Sequence, residues 1–377
     1  LPPVDVRSAF LKQYSDPYRQ LISTEAGSNA EVAASLCERL RTAGVWATDE
    51  SALQSSPERQ QAIDSLSDLA MRVTAVSNQI ERDHAGRSFV SSYMSSALAG
   101  LESAARHRMI SQVPVRQSTA VDEQISRHIA AAANHQPVIQ FYYADYDLLV
   151  FIHEDGATRY HRYPGGRRLA RQMTARWRYF RSQALSANGS TRTRDLADEE
   201  QFLRQLGDWL WAPLELGRNH EQILLIPDGP LHNLPWKAMT YDDGPLICRH
   251  HVIFSPSVRH YLFARSKRIR SQAVEVYVGD TRGLSHIGEE VAAIRSHAGS
   301  PIRVVDPCRR EDWPEHGSAR IWHYSGHATL RSDNPFYSSL LLADGPLFAA
   351  DFRFKQNRVG LVTLAAYGMP RSVSRLL

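Results

Sequence analysis

Between residues 222 and 366 one pattern recurs. A short apolar run rich in β-branched residues is followed by a polar or helical stretch and then by another run. The runs are QILLIPDG, HHVIFSPS, AVEVYVGD, PIRVVD, ARIWHYS and RVGLVTLAA, and GEEVAAIRSHAG between the third and fourth has helical spacing. Runs this short, bounded by Gly, Pro and Asp, read as buried strands. Strands alternating with helices predict an α/β fold with a mainly parallel sheet flanked by helices on both faces. Such sheets bind ligands beyond the C-terminal ends of their strands, so the chemistry should lie there.

Two of those ends stand out. The run ARIWHYSGHATL gives way to Gly326 and then His327. A histidine titrates near neutral pH and suits a general base or acid. The competing reading is one of 16 histidines sitting in a loop. His323, four residues earlier inside the strand, reads as structural. The last run, Val359 to Leu364, reads as a buried strand. A nucleophile at its end would complete a dyad with His327, yet the chain offers Ala365, Ala366, Tyr367 and Gly368. None is a good nucleophile; a tyrosine phenol has a pKa of about 10.

Other polar positions have plainer readings. The stretch LLIPDGPLHNLPWKAM reads as a rigid turn at Asp228-Gly229 that anchors Leu231, Leu234 and Trp236 against the sheet, with His232 and Asn233 as scaffold. Asp333 and Asp344 are loop acids, either of which could receive a basic side chain by charge pairing. Cys308 lies beside Arg309 and Arg310, which would lower a thiol pKa, though a plain loop cysteine is the simpler reading. Cys248 reads as a core residue, and Cys37 as lying on the buried face of a helix.

Upstream the texture differs. NAEVAASLCERLRTAGVW places Val32, Leu36, Leu40 and Val45 near helical spacing, with Asn29 as N-cap. A long amphipathic stretch starts at Ser56-Pro57. This helical part spans 1–115, and a second domain fills 116–377, the boundary falling in ISQVPVRQSTAVD. There PVIQFYYADYDLLVFIHEDGATRYHRY reads as a β-meander turning at Asp145 and at Asp155-Gly156, followed by helices over roughly 165–186 and 197–217.

Composition removes several function classes. With 43% hydrophobic and 22% charged residues, the 377-residue chain can bury a full core. A net charge of +4 is a weak argument for nucleic acid, and clusters such as RYHRYPGGRRLARQ read as solvated helix faces. No window approaches the ~18 apolar residues of a membrane span. The start, LPPVDVRSAF, lacks the pattern of a signal peptide and lacks Met, which suggests a fragment or a trimmed chain. Three widely spaced cysteines give no disulfide framework or zinc spacing, and suggest a reducing, cytoplasmic setting. GxxxxGK[ST], GxGxxG and GxSxG are all absent.

The ordered set ILLIPDGPLHNLPWKAM, PLICRHHVIFSPS, GLSHIGEEVAAI, IWHYSGHATL, SSLLLADGPL and VGLVTLAA resembles the CHAT domain. The resemblance covers about 135 to 377. Upstream, DPYRQLISTEAGSNAEVAASLCERLRTAGVW is similar to the tetratricopeptide-like helices that often precede that domain. The resemblance implies a caspase-like cysteine endopeptidase with a His/Cys dyad, related to caspases and separases. The family histidine maps onto His327, and Gly326 is implied as an oxyanion donor. Asp344 is the implied P1 pocket acid, favouring a basic side chain. The family cysteine would follow Ala366, where this chain has Tyr367. YGMPRSVSRLL resembles a segment normally found further downstream. Two readings stay open: residues including the nucleophile are absent between Ala366 and Tyr367, or the cysteine is lost and the domain is a pseudoprotease scaffold. No cofactor or metal is implied. The implied partners are a protein substrate, gasdermin-like proteins among them, and a regulatory protein docking on the N-terminal helices. A place in a nucleic-acid-guided complex is implied by the family's association with CRISPR effectors together with the weak basic clusters; direct nucleic-acid contact and a membrane partner are not expected. The setting implied is bacterial defence or signalling.

Overall fold

A computed structural model describes residues 16–43, 120–186, 192–216, 220–266, 269–314, 317–329, 338–349 and 358–368. The expected boundary near residue 115, the long helix from Ser56 and Asp333 lie outside the described residues. The chain divides into two compact units, and the described parts are 16–43 with 120–265 in one, and the residues from 266 onward in the other.

The first unit opens with helices α1 (Asp16–Ser28), α2 (Ala30–Ala43) and α3 (Ala120–Ala133). Asn29 caps α2, its Oδ1 accepting the Val32 N–H at 3.2 Å. The buried stripe is Ala33, Ala34 and Cys37, while Val32 is 42% exposed, so the stripe is offset from the one the aliphatic spacing predicts. The reason is close packing. The alanines let α2 approach Tyr142, Leu149 and Phe151 on the sheet, where a larger side chain would hold it off. Strands β1 (Val138–Tyr143), β2 (Leu148–Glu154) and β3 (Ala157–Tyr163) form the expected antiparallel meander. Asp155 and Gly156, both at positive φ, make its tight turn.

Helix α4 (Gly166–Ser186) follows, then α5 (Arg192–Leu206). The second helix does not continue to 217. It passes into a π turn, Gly207–Trp211, and a 3-10 turn, Ala212–Leu214, which contains Pro213. A Cβ on Gly207 would lie 2.0 Å from the Thr240 carbonyl oxygen, so glycine alone allows this contact. Strands β4 (Gln222–Ile226) and β7 (His251–Phe254) extend the sheet in parallel, giving the order β3-β2-β1-β4-β7, with the small ribbon β5 (Thr240–Tyr241) and β6 (Gly244–Pro245) between them in sequence. The turn at Asp228 is the predicted scaffold. Asp228 Oδ1 accepts the Gly229 N–H at 3.0 Å and Oδ2 accepts the Tyr143 N–H at 2.8 Å. Trp236 is buried and donates its indole N–H to Leu231 O at 2.8 Å. Helix α6 (Val258–Ser266) closes the unit. The fully buried Glu38 of α2 accepts from the Arg259 N–H at the start of α6, at 2.9 Å, and from Gln140 at 3.3 Å.

The second unit is a sheet built from β8 (Val274–Val278), β9 (Ile302–Val305), β10 (Ser318–Thr329), β11 (Ser339–Leu342), β12 (Gly345–Phe348) and β13 (Arg358–Gly368), with helix α7 (Ile287–His297). Strands β9, β8, β10 and β13 are parallel, and β11 and β12 turn back antiparallel at the far end of β10. One face buries Val274, Val276 and Val278 against Ile287, Val291 and Ile294 of α7. The other holds the aromatic cluster Tyr277, Trp313, Trp322 and Tyr324. The sequence therefore folds as read: an α/β chain with parallel strands flanked by helices, preceded by helices, in the layout of a caspase-like domain. One expectation is corrected. Strand β13 is not buried: Leu361, Val362 and Leu364 are each about half exposed, because among the described residues β13 pairs on one edge only, with β10.

Candidate active site

Strand β10 changes partner near its end. It runs beside β8 as far as Ser325↔Val278, and beside β11 from Ala328↔Leu340. Between them, Gly279 N–H donates to Ser325 O at 2.9 Å, Asp280 N–H to Leu341 O at 2.7 Å, and His327 N–H to Asp280 O at 3.0 Å. The residues leaving β8 thus stitch β10 to β11. Gly326 sits at the change of partner with φ of 155°. A Cβ there would meet Tyr324 Oη at 2.8 Å and Asp280 O at 3.1 Å. The Tyr324 hydroxyl lies 2.8 Å from both the His327 and the Leu341 carbonyl oxygens and has one proton to share between them.

His327 is therefore not in a loop after the strand but inside β10, 9% exposed, with its backbone fixed on both sides. Its Nε2 lies 2.8 Å from the Arg282 carbonyl oxygen. A carbonyl only accepts, so Nε2 carries the proton and Nδ1 is the basic nitrogen. Asp280 lies beside this ring, and the Arg282 guanidinium holds its carboxyl below the usual carboxylate range. In its neutral form the imidazole thus has a tautomer set by a backbone carbonyl at the C-terminal end of a parallel sheet.

The neighbouring strand supplies the second position. Strand β13 runs unbroken through Ala366, Tyr367 and Gly368, paired to β10 in the register Ser325↔Ala365, Gly326↔Ala366 and His327↔Tyr367. Residue 367 is one strand spacing, ~4.8 Å, from His327.

The cysteines lie elsewhere. Cys308 is buried with the aromatic cluster on the face opposite α7. The expected lowering of its thiol pKa is reversed. Burial pushes it up to about 12, with Asp312 and Asp344 adding to the rise. Cys37 is buried in the first unit, where burial also raises its pKa. Cys248, expected in a core, is exposed, because the turn Leu246–Cys248 buries Leu246 instead. Asp344 forms the β11–β12 turn, and its carboxylate accepts the Arg310 N–H at 3.0 Å. The basic stretch around β3 and α4 is largely ion-paired, Arg159 with Glu154, Arg162 with Asp147 and Arg167 with Asp145. Among the described residues no group of three His, Cys, Asp or Glu side chains is placed to hold a metal, and no helix is long and apolar enough to cross a membrane.

Sequence reasoning missed Tyr324, Asp280 and Arg282. One signal was available: the run AVEVYVGD ends in Gly-Asp at a strand C-terminus, the position where such sheets place polar function. No curated protein matches the chain. Residues 200–375 match the family model of the CHAT domain, a span that holds β4 to β13 and the histidine strand end.

Proposed function

We propose that the domain is a caspase-like cysteine endopeptidase in which His327 is the base and the position after Ala366 is the seat of the nucleophile. The register His327↔Tyr367 carries this reading. His327 Nδ1 takes the proton of a thiol at that seat, and the thiolate attacks a peptide carbonyl. The proton passes to the leaving amine, a thioester remains, and water activated by the same nitrogen hydrolyses it. Backbone at Gly326 stabilises the oxyanion. Asp344 supports a preference for a basic P1 side chain. The substrate is a specific protein, with gasdermin-like proteins as candidates, in a regulated bacterial defence or signalling pathway in the cytoplasm. The helix pair α1 and α2 supports a tetratricopeptide-like platform for a regulatory partner. The test is Tyr367→Cys, with iodoacetamide alkylation followed from pH 5 to 9. A thiol paired with His327 titrates well below the ordinary value of about 8.5 and returns to it with His327→Ala. An ordinary thiol unaffected by His327→Ala refutes the reading.

One observation favours a second reading. The chain passes from Ala366 to Tyr367 within continuous β13, with no cysteine at the seat. A domain with this sequence is a pseudopeptidase whose function lies in binding. Tandem mass spectrometry of the endogenous protein separates the two. A peptide joining LVTLAA directly to YGMPRSV supports the scaffold, and a cysteine-containing insert supports the peptidase.

A further inference from the structure

Four residues before the base, His323 makes contacts that the dyad does not use. Its Nδ1 lies 2.7 Å from Thr363 Oγ1 on β13, and its Nε2 lies 3.1 Å from Glu290 Oε1 on α7. The other Glu290 oxygen accepts from the Ser325 hydroxyl. One imidazole therefore ties the base strand to the nucleophile strand and to the helix over that face.

The tie matters because of what β13 lacks. Register is strongly specified where one face of a strand is apolar and buried and the other polar and wet. Strand β13 has no such contrast. Val359, Leu361, Val362, Leu364, Ala365 and Ala366 put apolar residues on both faces, and Leu361, Val362 and Leu364 are about half exposed. A slip of two residues would keep every side chain on its own face and change little apolar burial. It would set Leu361 or Ala365 opposite His323, however, and neither can bond an imidazole. Thr363 is the one polar side chain between Val359 and Ala366. His323↔Thr363 and His327↔Tyr367 belong to the same register, so the first pair sets the second.

We infer that His323 is a positioning residue: its Nδ1 bond to Thr363 pins the register of β13, and so holds residue 367 opposite His327. The consequence at residue 367 rests on the peptidase reading; the register pin does not. The imidazole also accommodates either direction of proton sharing. When neutral, it donates from Nε2 to Glu290 and accepts the Thr363 hydroxyl proton at Nδ1. When doubly protonated, it donates to both, and Thr363 turns its proton to Trp322 O, 3.4 Å away.

Isosteres separate the two bonds. His323→Asn places an amide where Nδ1 was and keeps the strand-to-strand bond. His323→Gln reaches the Nε2 position and keeps only the bond to Glu290. Amide hydrogen exchange of β13 is measured on the full chain with Tyr367 in place, for the unaltered protein, both His323 variants, Thr363→Ser and Thr363→Val. We expect exchange across 363–366 to quicken roughly five- to tenfold in His323→Gln and Thr363→Val, and to stay near the unaltered rate in His323→Asn and Thr363→Ser. Equal exchange in the Asn and Gln variants, or an unchanged rate in Thr363→Val, overturns the inference. Because the readout needs no thiol, it decides the pin independently of the Tyr367→Cys experiment, which decides the peptidase reading.

Discussion

Replacing Gly326 by alanine should be among the most damaging single-methyl additions in the second unit, and the structure says by how much. The backbone there has φ of 155°, a region that L side chains rarely adopt and that costs on the order of 1–3 kcal/mol to impose. The added Cβ would lie 2.8 Å from Tyr324 Oη and 3.1 Å from Asp280 O, too close for either to stay. The ring is packed in the aromatic cluster, so the hydroxyl can move only by leaving the His327 and Leu341 carbonyls. That loss adds about 1 kcal/mol. The total is about 2–4 kcal/mol. Gly283→Ala is the control, since Gly283 has φ of 79° but nothing within 4 Å of its Cβ, leaving the backbone term alone, about 1–2 kcal/mol. Urea-dependent amide exchange of β10 peptides reads both. The double variant Tyr324→Phe with Gly326→Ala removes the nearest clashing atom, and should cost about 1 kcal/mol less than the two single changes summed. If Gly326→Ala is no costlier than Gly283→Ala, or the pair is additive, the hydroxyl is not what fills the space beside Gly326.

Two further outcomes follow from the buried titratable groups. Burial holds His153 down at about 4, bonded to Thr158 at 2.9 Å, whereas in an unfolded chain histidine titrates near ~6.5. Between those values the unfolded state binds a proton that the folded state does not. Stability is then full above about pH 6.5 and falls by up to about 3 kcal/mol as pH drops to 4; urea midpoints at pH 7.5 and 4.5 check this, and His153→Gln should flatten the difference. Thiol titration with a coloured disulfide at pH 8 should find one reactive cysteine in the native protein, the exposed Cys248, and all three after unfolding, because Cys37 and Cys308 are buried with raised pKa values. Prompt reaction of Cys308 in the native state would contradict its placement in the aromatic cluster.

The parallel strands were legible because buried strands in such sheets read as short apolar runs, and every run found in the sequence forms a strand. The meander was legible from Asp155-Gly156, whose positive φ values only a few residue types supply cheaply. What failed was anything that depended on a third element. The exposure of β13 depends on what lies beside it, not on its own composition. The α2 stripe was misread because aliphatic spacing marks large side chains, while the tightest contact is made by Ala33 and Ala34. The Cys308 thiol was misread because adjacent arginines in sequence need not face it, and burial dominates. At the site, His327 was legible as a histidine at a strand end. Its tautomer was not, because that is set by the Arg282 carbonyl, a backbone group that any residue would provide.

That last point bears on how such a site tolerates change. Among the groups that hold His327 are the carbonyls of Asp280 and Arg282 and a chain of backbone bonds through Gly279 and Leu341. The Asp280 carboxylate in turn accepts the Arg282 N–H at 3.1 Å and so helps to place that carbonyl. What cannot vary is the space: Gly279 and Gly326 both press against the Tyr324 hydroxyl, at 2.4 Å and 2.8 Å from where their Cβ atoms would be. Two glycines and a tyrosine therefore constrain the backbone around His327. Strand β13 has a different constraint, the polar pair of His323 and Thr363 across β10 and β13. A chain that has lost the thiol keeps every one of these contacts, since none of them involves the side chain at 367. Retention of the base and its supports is thus compatible with either reading of the seat, and only the chemistry of residue 367 separates them.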